Sequence, residues 1–488
     1  MRRAKIPQKD VIDSGFIRGK LRDCPDIVQK TIYVESKYEA FFLYIESLVD
    51  KAVMQRDFIR PIVSMTLEQL SDERSIKNLP FAEEKLLFGS DKVIEAILSG
   101  SCVFVCDLLP HAVACVKLDT EKRSIEEPVT EKNVRGPHAG FIESLDTNLS
   151  LLRRRIKNDR LKFKTAVLGT QTRQKIALAY IDGIANMDIV NSLYSKISKI
   201  ELDGLPAIGY IEESIVAHPN SIFPQFLSTE RPDRAFSSLL EGKIVVLQEG
   251  TPVVLIAPVN FIAFFQALDD YSTYWIHGSF LRMIRMLAFA LAVMLPSIYI
   301  AITSFHYFMV PLDLLLTMAE SRAKVPFPPI LEVLILEIIV EMIREAAIRL
   351  PTYIGTAVSV FASIVIGQAA VEAGIVSNIL IIVVGASAVA SYVMPSFDMA
   401  MATRILRFAF SLAASAFGMI GIMMVFSMAV FNLTSMDSLG QPYFQPFAPV
   451  VAEDIKDTFL RLPLQKMTKR PSITKTKNKT RGKPNAGK

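Results

Sequence analysis

Up to about residue 280 the chain alternates two kinds of hydrophobic pattern. Residues 101–108, 112–118, 163–168, 175–181, 243–247 and 252–256 are short runs rich in valine and isoleucine, bounded by Gly, Pro, Asp or Glu, and read as strands. Residues 38–54, 82–98, 187–200 and 231–240 carry apolar positions at helical spacing, and Glu83, Glu84, Lys85, Lys92 and Glu95 mark the outer side of the second. Strands interleaved with helices predict an α/β or α+β region. The charged stretch 121–136, with Pro128, Gly136 and Pro137, places a boundary between two subdomains. Gln248-Glu249-Gly250-Thr251, between the last two strands, has the composition of a hairpin turn.

Beyond residue 280 the pattern changes to long apolar segments. Residues 284–305 are uncharged after Arg285 and long enough to cross about 30 Å of hydrocarbon at about 1.5 Å per residue. Residues 353–374, 375–394 and 405–431 are three further spans; Ala373-Gly374 makes a tight junction between two of them, and Pro395 closes the second arm. Residues 330–350 differ, because Glu332, Glu337, Glu341, Arg344, Glu345 and Arg349 interrupt an apolar helix, and a charge at the bilayer centre costs about 2.5–3.5 kcal/mol. Three readings stand: an amphipathic interfacial helix with self-paired charges, a helix packed inside an oligomer, or a water-facing carboxylate row in a cation pathway.

Arg282 and Arg285 precede the first span, Arg404 and Arg407 lie at the last, and a basic tail follows, so all three stretches are expected on the cytoplasmic side. Two cytoplasmic termini require an even number of crossings. Assigning the acidic segment an in-plane or re-entrant position leaves four.

Composition supports this division. Apolar residues make up 51% of the 488 and charged residues still 21%, too greasy for an ordinary soluble enzyme and too charged for an all-membrane transporter. The net charge of +5 is modest, but no acidic residue follows Asp457 while ten Lys and Arg do. Such a run reads as a solvated tail, with anionic lipid as the partner in view and no nucleic acid expected. Cys24, Cys102, Cys106 and Cys115 lack paired spacing and nearby histidines, so buried reduced thiols are expected rather than disulfides or a metal site. The basic N-terminus has no apolar run of the kind an export signal needs, which predicts a cytoplasmic location for the first 280 residues.

Catalytic patterns are missing. There is no Walker A loop, nucleophile elbow, HExxH helix, dinucleotide-binding turn or kinase set, and the five histidines are scattered. No enzyme activity, cofactor or metal is expected. Arg153, Arg154 and Arg155 follow a leucine-rich run and suit a basic surface patch; phosphate, a membrane surface, a subunit contact and a solvated helix end are all open to it.

Eight motifs then occur in one order: VRGPHAGFIESL (134–145), LLRRRIK (151–157), TERPDR (229–234), LLEGKIVVLQEGTPVVLIAP (239–258), VPFPP (325–329), REAAIRLP (344–351), IGQAAVEAGIVSN (366–378) and GQPYFQPFAP (440–449). On these the chain resembles the A subunits of the GerA-type nutrient germinant receptors of endospore-forming Firmicutes. The likeness is strong over about residues 130–465 and rests mainly on position and character before that. His138 and Ala139 replace the more usual Arg and acidic pair, and Asn378 stands where Pro is common.

The resemblance implies a multi-pass protein of the inner spore membrane, assembled with a transporter-like B subunit and a lipoprotein C subunit. It also implies a homo-oligomeric ring, a pentamer, around a ligand-gated pore for monovalent cations. The expected architecture is a two-subdomain α/β soluble region (1–130 and 131–280), an α-helical polytopic membrane domain (281–435) and a basic cytoplasmic tail (436–488) disordered at its end. Within 353–374, Thr356, Ser359, Ser363, Gly367 and Ala370 share one helical face, which reads either as close small-residue packing in lipid or as a pore lining with Val360 as a dewetting gate. In the second reading Glu337 and Glu341 attract cations at the mouth. A paralogous A-type protein of the stage V dipicolinate-channel operon is the nearest alternative. A secondary transporter using Glu337 or Glu341 as proton-coupled groups is a more distant one, since no inverted repeat is evident.

Overall fold

The computed structural model describes residues 12–482 except 23, 36, 78–83, 116–127, 129–130 and 132–135; the side chains of 352–354 and 356–361 also lie outside the description. The chain divides into two compact units, Met1–Val216 with Ser228–Pro258 and Thr468–Lys483, and Ala217–Leu227 with Val259–Met467 and Pro484–Lys488.

The first unit uses one arrangement twice. Helix α1 (Ser14–Lys20) leads to the hairpin β1 (Ile27–Val34) and β2 (Tyr38–Ile45), then through short helical turns over 51–77 to β3 (Glu84–Leu87). Helix α2 (Ser90–Leu98) and the strands β4 (Cys102–Val105) and β5 (Ala112–Cys115) complete the first half. The second half runs α3 (Leu145–Arg155), β6 (Leu161–Leu168), β7 (Gln174–Ile181), α4 (Met187–Ser198), α5 (Ile208–Ile215), β8 (Leu227–Thr229), α6 (Pro232–Leu240), β9 (Ile244–Gln248) and β10 (Val254–Ala257). The sheets have the orders β1-β2-β4-β5-β3 and β6-β7-β9-β10-β8, the same topology. Their helix-to-strand junctions match bond for bond: Ser99 N–H donates to Glu95 and Ser101 N–H to Ala96, as Glu241 N–H donates to Ser237 and Lys243 N–H to Ser238. Gly100 and Gly242 hold the left-handed position each junction needs, at φ +97° and +92°.

One expectation fails here for a physical reason. Residues 38–54 read as a helix and 27–34 were not singled out, yet 38–45 is a central strand. Ala40, Phe42 and Tyr44 feed the core on one face of the sheet, and Phe41, Leu43 and Ile45 the core on the other. A strand buried on both faces loses its polar alternation and cannot be told from a buried helix by periodicity. The subdomain boundary expected near residue 130 falls within 116–135, most of which lies outside the described residues.

The second unit is helical: α7 (Trp275–Ser304), α8 (Leu312–Arg322), α9 (Pro329–Arg349), α10 (Thr352–Glu372), α11 (Asn378–Tyr392), α12 (Phe397–Phe417) and α13 (Met419–Ser435). By length and composition α7 and α12 suffice to cross a membrane, and α11 and α13 are shorter apolar helices. The span expected over 405–431 is therefore two helices. Gly418 breaks them at φ +62°, where a Cβ would sit 2.9 Å from the His306 ring. An apolar run does not reveal such a break.

The tail also departs from expectation. Tyr443 is fully buried in the helical unit. In the α/β unit Arg470 Nε–H donates to the Leu240 carbonyl at the end of α6 (2.8 Å), and Ile473 and Thr474 are buried. Residues 483–488, where the disordered end was placed, lie outside the described residues.

Candidate functional site

Helix α9 starts at Pro329, where a missing N–H costs no helical bond, and carries Glu332, Glu337, Glu341 and Arg344 toward its neighbours. Each charge meets a partner on another helix. Glu332 lies 3.2 Å from Arg322 Nε of α8 and accepts from the Ser377 N–H that opens α11 (3.1 Å), while the Ser377 and Tyr299 hydroxyls bond each other at 3.1 Å. Glu341 accepts from Arg407 of α12 (2.9 Å) and from Arg344 (3.2 Å), with Arg404 at 3.6 Å. Arg344 donates to the hydroxyls of Ser391 (3.0 Å) and Tyr392 (3.1 Å) on α11 and stacks over the Tyr392 ring. Arg407 reaches Ser387, one turn from Ser391.

Glu337 is the exception. Its side chain is 0% exposed and its oxygen lies 3.2 Å from Arg407 Nε, yet neither carboxylate oxygen accepts a hydrogen bond and Nε donates none. The distance is that of an ion pair but the alignment is not that of a hydrogen bond. Three arginines, Arg344, Arg404 and Arg407, face two glutamates in this cluster.

The outer face of α9 is the reverse. Leu331, Ile338, Met342 and Ile348 are exposed, Ile338 to 50%. Charges inside and apolar groups outside is opposite to a helix on a water-facing surface. An in-plane amphipathic helix would turn its charges outward, whereas Glu332, Glu337 and Arg344 are buried within the helical unit. The Glu345–Arg349 pair (2.6 Å) at the exposed end is the self-pairing the spacing predicts. Glu337 and Glu341, expected to attract cations, lie beside arginines, Glu337 at 3.2 Å from Arg407 and Glu341 against Arg407 and Arg404.

A second ionic cluster sits at the start of α7. Asp270 is buried between Arg282 (3.2 Å) and Arg285; Arg282 also donates to Asp457 Oδ1 (2.8 Å), which accepts from Tyr271 OH through its other oxygen (2.7 Å). The four arginines taken as cytoplasmic anchors, Arg282, Arg285, Arg404 and Arg407, thus lie inside helices α7 and α12 and are consumed by internal pairs.

Of the residues expected to line a pore, Thr356, Ser359 and Val360 lie outside the described side chains; Ser363 is exposed and Gly367 half-exposed on α10. The basic patch is dispersed. Arg154 and Arg155 are exposed, whereas Arg153 is fully buried and grips Asp26 with two bonds of 2.9 Å, donates to the Leu161 carbonyl and stacks on Phe163. All four cysteines are free and buried, and burial pushes the Cys24 thiol up despite Arg153 and Lys162 beside it. Among the described residues no group of three His, Cys, Asp or Glu is placed to hold a metal. Sequence reasoning missed Arg344, Arg404, Arg407, Ser387 and Ser391 as a constellation. Two arginines inside an apolar 21-residue helix were the available signal.

Comparison with known proteins gives a consistent result. A sequence model of the Bacillus/Clostridium GerA spore germination protein matches residues 16–473. Spore germination protein KA of Bacillus subtilis (strain 168) is 38% identical over 444 residues, 90% of this chain and 81% of that protein. Spore germination protein GerQA of Bacillus cereus is 35% identical over 484 residues, covering 98% and 96%. Among solved structures, the N-terminal domain of the A subunit of the Bacillus megaterium spore germinant receptor GerK3 aligns with 53% of this chain and 99% of its own, at 24% identity and a TM-score of 0.38. The chain belongs to the GerA family of spore germination proteins.

Proposed function

We propose that this chain is the A subunit of a nutrient-responsive germination receptor and that copies of it form a ring in the inner spore membrane, a pentamer conducting monovalent cations. A transporter-like B subunit and a lipoprotein C subunit complete the receptor and supply nutrient recognition. The observation that carries this reading is α10. From residue 362 to 372 Ala370 alone is buried, and Ile364, Val365 and Ile366 are exposed, so this stretch of an apolar helix is mostly uncovered among the described residues. Such a helix needs lipid or other copies around it. Its small-residue face, with Ser363 and Gly367, suits close approach of identical helices around an axis.

The test uses the full-length protein purified with its B and C partners and reconstituted in liposomes, with stoichiometry and potassium efflux measured on one preparation. A ring whose efflux changes when Ser363 is replaced by Leu is the expected result. A monomer that passes no potassium in the complete complex overturns the reading.

A further inference from the structure

Polar groups on three helices of the second unit repeat at helical-turn spacing: Glu337 and Glu341 on α9, Arg404 and Arg407 on α12, and the hydroxyls of Ser387 and Ser391 on α11. In the observed register Arg407 hydrogen-bonds Glu341 at 2.9 Å and meets Glu337 at 3.2 Å without a hydrogen bond. Glu337 is thus a fully buried carboxylate one turn from an arginine-bonded position that it does not occupy.

We propose that α9 has two discrete registers against α12, one helical turn apart, with Arg407 as the shared latch. In the second register Glu337 takes the place Glu341 now holds between Arg404 and Arg407. Glu341 moves one turn on and keeps Arg344, its own i+3 neighbour. Ser387 and Ser391, four apart, offer hydroxyls in both. A buried carboxylate left without hydrogen bonds is costly, and the exchange gives Glu337 the Arg407 bond that Glu341 gives up; the same step draws Glu332 off Arg322 and the Ser377 N–H, a loss that favours the observed register. Packed interfaces move between discrete arrangements for this reason, a one-turn step being about 5.4 Å. Leu350 and Pro351 alone separate α9 from α10, so α10 is displaced with it. The link from this step to gating rests on the channel reading above; the register shift does not.

The two glutamates then have opposite roles, which a merely structural cluster would not give. Spin labels at the exposed positions Ile338 and Ile348 of α9, each paired with Ile405 of α12, report the register by pulsed EPR in full-length protein in liposomes. Glu341→Gln removes the occupied pairing and is expected to change the label distances by up to about 5 Å. Glu337→Gln removes the alternative and is expected to keep the wild-type distances. Glu341→Asp, which retains the charge with a shorter reach, serves if Glu341→Gln fails to insert, and is expected to populate both distances. Unchanged distances in the Glu341 variants, or the same shift in Glu337→Gln, overturn the latch. Potassium efflux is measured in parallel: shifted distances with unaltered efflux keep the latch and remove its link to gating, whereas no efflux from the wild-type complex removes the channel reading.

Discussion

Strand β2 of the α/β unit and helix α9 of the helical unit are both rich in apolar residues, yet they dispose them in opposite senses. β2 sends six consecutive apolar side chains into two cores, and the charges of its neighbourhood, such as Lys30 and Glu39, stay at the surface. Helix α9 buries Glu332, Glu337 and Arg344 and exposes Leu331, Ile338, Met342 and Ile348. In water apolar burial drives the first arrangement. In hydrocarbon that drive is gone, and unpaired polar groups are what must be hidden. The difference is therefore a statement about the medium each region was built for.

The largest effect expected concerns the place where the α/β unit departs from its own rule. Arg153 and Asp26 form a fully buried pair there, joining the start of β1 to the end of α3. Removing one partner from such a pair costs about 3–5 kcal/mol, because the other charge stays buried and alone. Arg153→Ala is expected to lose hydrogen-exchange protection in β1 and β6, while Arg153→Met combined with Asp26→Leu regains most of it. Equal loss in the single and double variants would mean that packing on Phe163, not charge, holds the junction.

The contrast of media is sharpened by adding one charge to each outer face. Ile338 lies near the middle of α9, and Ile338→Lys is expected to cost about 2.5–3.5 kcal/mol of membrane insertion. Val167 is exposed on β6, and Val167→Lys is expected to change stability by less than about 0.5 kcal/mol. The inserted fraction and the thermal midpoint of each variant measure this. Tolerance of Ile338→Lys would place α9 against water.

How far the sequence was legible follows the same contrast. Strands flanked by turn residues, such as 174–181 and 244–248, were readable, as was the division between an α/β region and a helical one. β2 was misread because burial on both faces erases alternation. The break at Gly418 was hidden because an apolar helix and two apolar helices share one composition, and the crowding by His306 that leaves no room for a Cβ there is tertiary. Arg153 was assigned to a basic patch with Arg154 and Arg155, and Arg407 to the cytoplasmic edge of a span with Arg404, because runs and pairs of arginines are usually solvated. The carboxylate partners of Arg153 and Arg407 lie 127 and 66 residues away in the chain, a pairing no local pattern announces.

The smallest expected effect is a pH dependence confined to the α/β unit. His111 is 2% exposed, and its Nε2–H donates to the Leu70 carbonyl at 3.1 Å. Burial holds the ring below its ordinary value near 6.5, against the opposing pull of Leu70 and Glu73. The folded state thus binds a proton less readily than the unfolded chain, so stability is complete above about 6.5 and falls as pH drops toward the folded-state value. Hydrogen exchange in β4 and β5, corrected for intrinsic rates, is expected to speed up between pH 7.5 and 5.5 in the native chain. His111→Gln keeps a donor for Leu70 and cannot titrate, and is expected to flatten that difference. If the variant retains the full pH dependence, the acid sensitivity belongs to another group and His111 serves packing alone.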